Sequence, residues 1–217
     1  MFGHGFAVQA ATYGQLLRTV AAAGFVVAAP DFPGSTSAAA GTPDEADLRD
    51  EPCDLLYVAA HVELEARHAG PLAGLVARGE VALAGQSDGA TAAAFAGLSD
   101  RPGTCGGPTV AAVVAFSSDP VPVRPGASAA VLAITGTADE VNPPIRTRAL
   151  FAEAPSTAYL LTSLGDSHLG PSTTSPRHAE IATVVVDFLR ATLLDSTRAR
   201  WRLVADAQRP GLDLTVR

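Results

Sequence analysis

Five short runs of almost purely apolar residues constrain the fold of this chain more than any other feature. They are Phe25-Val26-Val27-Ala28-Ala29, Val81-Ala82-Leu83-Ala84, Val110 to Phe116, Ala129 to Ile134 and Ala158 to Thr162. Each is bounded by turn-forming residues and lacks the in-and-out alternation of a strand with one wet face. Such runs read as strands covered on both sides. Between them the period changes. Tyr13, Leu16, Leu17, Val20 and Ala21 recur at helical spacing before Gly24, which suits a helix C-terminus. Leu55, Leu56, Val58, Ala59 and Val62 mark a helix over about Pro52 to His68 whose acidic first turn suits its dipole. Ala90 to Leu98 is Ala-rich. Asn142-Pro143 and Ser175-Pro176 are start signals for two further helices, the second carrying Ile181, Val184, Val185, Phe188 and Leu189. Strands that alternate with helices predict the α/β class: a mostly parallel sheet with helices on both faces.

With 217 residues, 47% of them apolar, the chain can bury one substantial core, so a single domain over residues 1–217 is expected, its core over about 2–193. Residues 31 to 50 are rich in Gly, Pro, Ser, Thr and acid and read as a long loop. The tail from about Ser196 reads as one more helix and a loose end. Only 17% of residues are charged, the net charge is −7 and the basic residues are scattered, which excludes the electrostatic footprint of a nucleic-acid binder. No apolar stretch approaches the roughly 18 residues of a membrane span, and no secretory leader is visible. Cys53 and Cys105 form no C-x-x-C pair and read as ordinary thiols, and neither a metal nor a cofactor is expected. Oligomeric state and cellular location are not legible.

The chemistry centres on Gly85-Gln86-Ser87-Asp88-Gly89, placed directly after one strand and before one helix. A nucleophile on such a sharp turn needs small neighbours, because side chains at the glycine positions would collide with the adjoining strand and helix. The helix N-terminus beneath Ser87 favours the negative charge of an attacked carbonyl. Serine also needs a base, and the base needs a carboxylate to fix its tautomer. His168, in the polar loop Gly165 to Gly170 after the last strand, is the candidate base. His178 is expected to face solvent, and His61 and His68 to be bystanders. For the acid, Asp139 in Thr135-Gly136-Thr137-Ala138-Asp139 follows a strand and so reaches the sheet edge where Ser87 stands. Asp119 meets the same criterion and stands as the alternative. Two backbone N–H groups must receive the developing oxyanion. Asp88 supplies one, and Phe6, in the Gly-rich turn Gly3-His4-Gly5-Phe6, is the candidate for the other, its ring available to the acyl group.

Taken together, Gly3 to Phe6, Ala29-Pro30-Asp31-Phe32-Pro33-Gly34-Ser35, Gly85 to Gly89, Gly136 to Asp139 and the loop at His168 resemble the α/β-hydrolase superfamily over about Phe2 to Leu193. Within it the chain is similar to the branch of dienelactone-hydrolase-like esterases, platelet-activating-factor acetylhydrolases, chlorophyllases and bacterial polyester hydrolases. The resemblance implies a carboxylesterase with Ser87, Asp139 and His168 as triad and Phe6 and Asp88 as oxyanion donors. It also implies two strands and most of a third ahead of the Gly3 turn, so either the sheet is trimmed at that edge or the natural product is longer. Gln86 stands where many relatives carry His, and Asp119-Pro120-Val121 resembles the acid position of chlorophyllases. About ten residues separate Ser118 from Ala129, too few for a helical lid, so an open site is expected, suited to small esters or an exposed polymer surface. The tryptophan that polyester hydrolases carry after that strand is absent. A dinucleotide-binding reading of Gly3-His4-Gly5 fails because Val8 occupies the third glycine position. A non-catalytic binding protein on the same fold and an acyltransferase using the same triad are the other readings.

Overall fold

The computed structural model describes residues 1–77, 79–100, 105–155 and 157–217. Its strands are β1 (Phe2–Gly3), β2 (Glu80–Gln86), β3 (Thr109–Phe116), β4 (Ala130–Gly136), β5 (Ala158–Ser163) and β6 (Leu212–Val216), and they form one six-stranded sheet in that order. β1 to β5 are parallel, and β6 runs antiparallel to β5. The helices are α1 (Gly14–Ala22), α2 (Glu51–Glu65), α3 (Asp88–Leu98), α4 (Pro144–Glu153), α5 (His178–Leu193) and α6 (Thr197–Asp206). The protein is therefore α/β, with a mostly parallel sheet covered by helices.

Strand alternation sorts the apolar runs onto two cores. Ala112, Val114, Phe116, Leu132 and Ile134 pack with residues of α1, α5 and α6 on one face. Leu83, Val113, Ala115, Val131 and Ala133 pack with residues of α2, α3 and α4 on the other. The small side chains of α3 let it lie close to the sheet: a Cβ on Gly97 would stand 2.6 Å from Cγ2 of Val113. At the other end of α3, Gly85 and Gly89 let the helix start lie against the end of β2, where Ser87 lies.

Several expectations are corrected. The run Phe25 to Ala29 is not a strand. It passes beside β1, joined to it by Phe2 N–H to the Ala28 carbonyl at 2.9 Å, and Val26 is 40% exposed. An apolar sequence becomes a strand only where a backbone ladder stands opposite, and β1 offers just two residues. Beneath this edge lies an apolar cavity of about 310 Å³ lined by Leu17, Phe25, Val27, Val81 and Ala82 among others. The tail is not loose, since Leu212–Val216 closes the far edge as β6. α2 ends at Glu65, short of His68, and the long loop contains a 3-10 turn at Glu45–Arg49.

The cysteines are not free thiols. Cys53 in the first turn of α2 and Cys105 ahead of β3 form a disulfide, with Cα atoms 4.9 Å apart and a sequence separation of 52. Two cysteines so far apart carry no spacing signature. By chain entropy, closing a loop of that length stabilises the fold by about 4 kcal/mol. Among the described residues, no helix is long and apolar enough to cross a membrane, and no cluster of His, Cys, Asp and Glu could hold a metal ion.

Candidate active site

Ser87 sits between the last residue of β2 and the first of α3, with φ +55° and ψ −122°. A non-glycine residue adopts that conformation only when its surroundings hold it. Here the Ser87 N–H donates to the Phe116 carbonyl at 2.8 Å, and its carbonyl accepts the N–H groups of Ala90 and Thr91. The glycines on either side are required by crowding. A Cβ on Gly85 would overlap backbone atoms of Gly89 and Ala90, and one on Gly89 would overlap the carbonyls of Gly3 and His4. The turn at Gly3 to Phe6 thus lies directly against the Ser87 turn, and a Cβ on Gly5 would stand 3.3 Å from Cβ of Ser87. Neither Phe6 N–H nor Asp88 N–H has a backbone partner among the described residues.

Asp139 and His168 are brought together. His168 Nδ1 lies 2.9 and 3.0 Å from the two carboxylate oxygens, and the Asp139 side chain is fully buried. Oδ1 of Asp139 also accepts the N–H groups of Val141 and Asn142 at 3.1 and 2.8 Å, so the carboxylate is fixed by its own loop. A carboxylate in that place accepts from His168 Nδ1–H, which leaves Nε2 free to take a proton. Asp119 is placed otherwise: its carboxylate pairs with the Arg146 guanidinium at 2.7 Å, partly exposed to solvent.

Both the residue before Ser87 and the strand beside it reach the His168 loop. The Gln86 amide donates to the His168 carbonyl at 3.3 Å, as does the Ser117 hydroxyl. Asp88 is close enough to His168 to feel its charge. Burial is the largest influence on the Asp88 carboxyl and raises its pKa, Asp119 and Glu45 raise it further, and His168 opposes them. Ser87 Oγ and His168 Nε2 make no hydrogen bond among the described residues, a contact that in unliganded sites commonly tightens only with substrate.

Two contributors escape a reading of the sequence alone. Tyr13, there one apolar position of a helix, donates its hydroxyl to Gln86 Oε1 at 2.8 Å and accepts the Gly5 N–H at 3.2 Å. Burial pushes its pKa up to about 12, so it remains a donor. Gln86 therefore links the Gly3 to Phe6 turn to the His168 loop. The signal for it is a fully polar side chain at the strand end, where an apolar one would pack as well. His4, in sequence only a part of the turn, is fully buried. It accepts the Phe32 N–H through Nε2 at 2.8 Å and so donates Nδ1–H to the Gly5 carbonyl, which pins the turn. His178 does not face solvent: it is 5% exposed, burial lowers its pKa, and its Nε2 is unpartnered. His61 and His68 are exposed, on and just beyond the end of α2.

Compared with known proteins, the chain matches no family model and no curated sequence.

The site itself offers a hydroxyl on a strained turn, an imidazole backed by a buried carboxylate on the loop that Gln86 reaches, and two N–H groups without backbone partners on the two turns that lie against each other at Ser87. Chemically, that set can activate an oxygen nucleophile and receive negative charge on a carbonyl oxygen.

Proposed function

We propose that this protein is a serine hydrolase of the α/β-hydrolase fold that cleaves carboxylic esters. The observation that carries the proposal is the pairing of His168 with the buried Asp139 carboxylate on a loop that the Gln86 amide reaches, Gln86 being the residue before Ser87 on its glycine-flanked, positive-φ turn. In the reaction, Ser87 Oγ attacks the ester carbonyl while its proton passes to His168 Nε2. The oxyanion is received by the N–H groups of Phe6 and Asp88. Collapse of the tetrahedral intermediate expels the alcohol, which takes the proton from His168, and leaves an acyl-Ser87 ester. Water, deprotonated by His168, then attacks that ester, and as the acid departs His168 returns the proton to Ser87 Oγ. Asp139 holds the imidazole tautomer and offsets the imidazolium charge.

A fluorophosphonate tests the assignment directly, because it phosphonylates only an activated serine. One adduct per chain is expected, mapping to the peptide that contains Ser87. An unlabelled protein, or a label on another serine, overturns the proposal.

The connection from β3 to β4 carries no helix among the described residues, so no helical lid is built there. Short-chain esters are therefore expected to be turned over faster than long ones, without activation at an oil–water interface. An open cleft buries little of a long acyl chain and forgoes about 0.8 kcal/mol for each methylene left in water. A chain-length series from acetate to palmitate, below and above the solubility limit, checks this. A maximum among the long chains, or a jump in rate on emulsification, would show that a segment such as residues 34–48 closes over the site.

A further inference from the structure

Glu51 is a buried acid with no part in the steps above. It opens α2, is 1% exposed, and accepts the Ser35 hydroxyl through Oε1 at 2.5 Å, while Oε2 is buried without a hydrogen-bond partner. A carboxyl with one oxygen buried and unpaired destabilises a fold, so packing does not account for it.

Ser35 leads from Glu51 to the oxyanion side of the site. Its N–H and that of Gly34 donate to Asp47 Oδ2 at 3.2 and 2.9 Å. Its carbonyl accepts the Ala7 N–H at 2.8 Å. The Val8 carbonyl in turn accepts the Thr36 hydroxyl and the Ser37 N–H, each at 3.2 Å. Ala7 has φ +55°, a conformation an alanine does not adopt unless it is held. Its N–H belongs to the peptide that directly follows Phe6. The direction of the Phe6 N–H thus depends on the clasp between residues 34–37 and residues 7–8, and Glu51 is the buried anchor of the Ser35 side chain.

We propose that Glu51, acting through Ser35, is a positioning residue for the Phe6 N–H, an inference that rests on the hydrolase reading above. The neutral acid suits this role. Burial first, then Asp88 on α3, Asp47 on the 3-10 turn and Asp54 on α2, outweigh the Ser35 hydroxyl and raise the Glu51 pKa to about 7. Once ionised, Glu51 faces those carboxylates with no cation paired to it among the described residues. The Ser35 hydroxyl still donates to the ionised carboxyl, but the repulsion from Asp47, which holds the Gly34 and Ser35 N–H groups, and from Asp88 and Asp54 pushes the two sides of the clasp apart, so turnover falls as Glu51 loses its proton.

The test compares wild type, Glu51→Gln and Glu51→Ala for kcat and KM on p-nitrophenyl acetate on both sides of pH 7, together with hydrogen exchange at the Ala7 amide. Because an oxyanion donor acts chiefly in the transition state, Glu51→Ala is expected to lower kcat about tenfold with KM nearly unchanged. Its Ala7 amide is expected to exchange about tenfold faster. Glu51→Gln, a neutral acceptor of the same shape, is expected to keep kcat within about threefold of wild type and to lose the alkaline fall. Unchanged Ala7 exchange in Glu51→Ala, or the same alkaline fall in Glu51→Gln, overturns the proposal. If Glu51→Ala does not fold, Ser35→Ala carries the same comparison. Failure of the hydrolase reading shows separately, as wild-type Ser87 left unlabelled by the fluorophosphonate, and the Ala7 exchange then decides whether the clasp exists.

Discussion

Replacing Ser87 with alanine is expected to lower hydrolysis of p-nitrophenyl acetate by about four orders of magnitude while leaving the melting temperature where it was. The loss is large because the three groups act as a unit: without the hydroxyl, the base has no proton to take and no acyl-enzyme forms. The stability half of the expectation comes from the structure. Ser87 Oγ caps nothing and makes no hydrogen bond among the described residues, so its removal breaks no hydrogen bond there. Alanine carries the same Cβ as serine, so the strain of φ +55° is the same in both. Enzyme kinetics together with a thermal melt check both halves. More than about a tenth of the activity remaining in a folded variant would remove Ser87 from the reaction.

Asp139→Asn is expected to cost about three to four orders of magnitude in kcat, and Asp119→Asn no more than a few-fold. Asparagine at 139 can still accept the N–H groups of Val141 and Asn142, so the loop keeps its shape. What it cannot do is accept from His168 Nδ1–H with a full negative charge. An amide N–H turned toward Nδ1 selects the wrong tautomer and leaves Nε2 protonated. Asp119 instead pairs with Arg146 at 2.7 Å at the surface, in a contact that solvent screens. Parallel kinetics of the two variants decide between them. The reverse order would place the acid on the β3 side of the site.

Features that depend on neighbouring residues are legible in the sequence. Val110 to Phe116 and Ala129 to Ile134 declare themselves as strands because an uninterrupted apolar run has few other fates. The glycines at 85 and 89 reveal the turn because a Cβ at either has no room. Features that depend on residues meeting only in space are not legible. Phe25 to Ala29 has the composition of a strand, yet its state is set by whether a ladder faces it. The alternation Leu212, Leu214, Val216 is a strand signal, but a faint one at the end of a polar tail. The Cys53–Cys105 bond joins residues 52 apart, and the Glu51–Ser35 and Tyr13–Gln86 contacts likewise join segments with no sequence relation. The proposed triad is legible because each member comes just after a strand, and parallel strands all deliver their succeeding loops to one edge of the sheet.

The crowding around Ser87 also has a meaning for how such a protein diversifies. At Gly3, Gly5, Gly85 and Gly89, backbone lies against backbone or against the Ser87 and Gln86 side chains, leaving no volume in which a new side chain could be tried. Phe6 and Val141 are different, the first partly exposed and the second 73% exposed beside Asp139. On the proposed hydrolase reading, substitutions there would alter what touches a ligand without displacing the turn. Over generations, a lineage built on this scaffold has its freedom in the rim and almost none in the floor, so descendants that take different molecules should differ in side chains around the opening while sharing the same main-chain path beneath it.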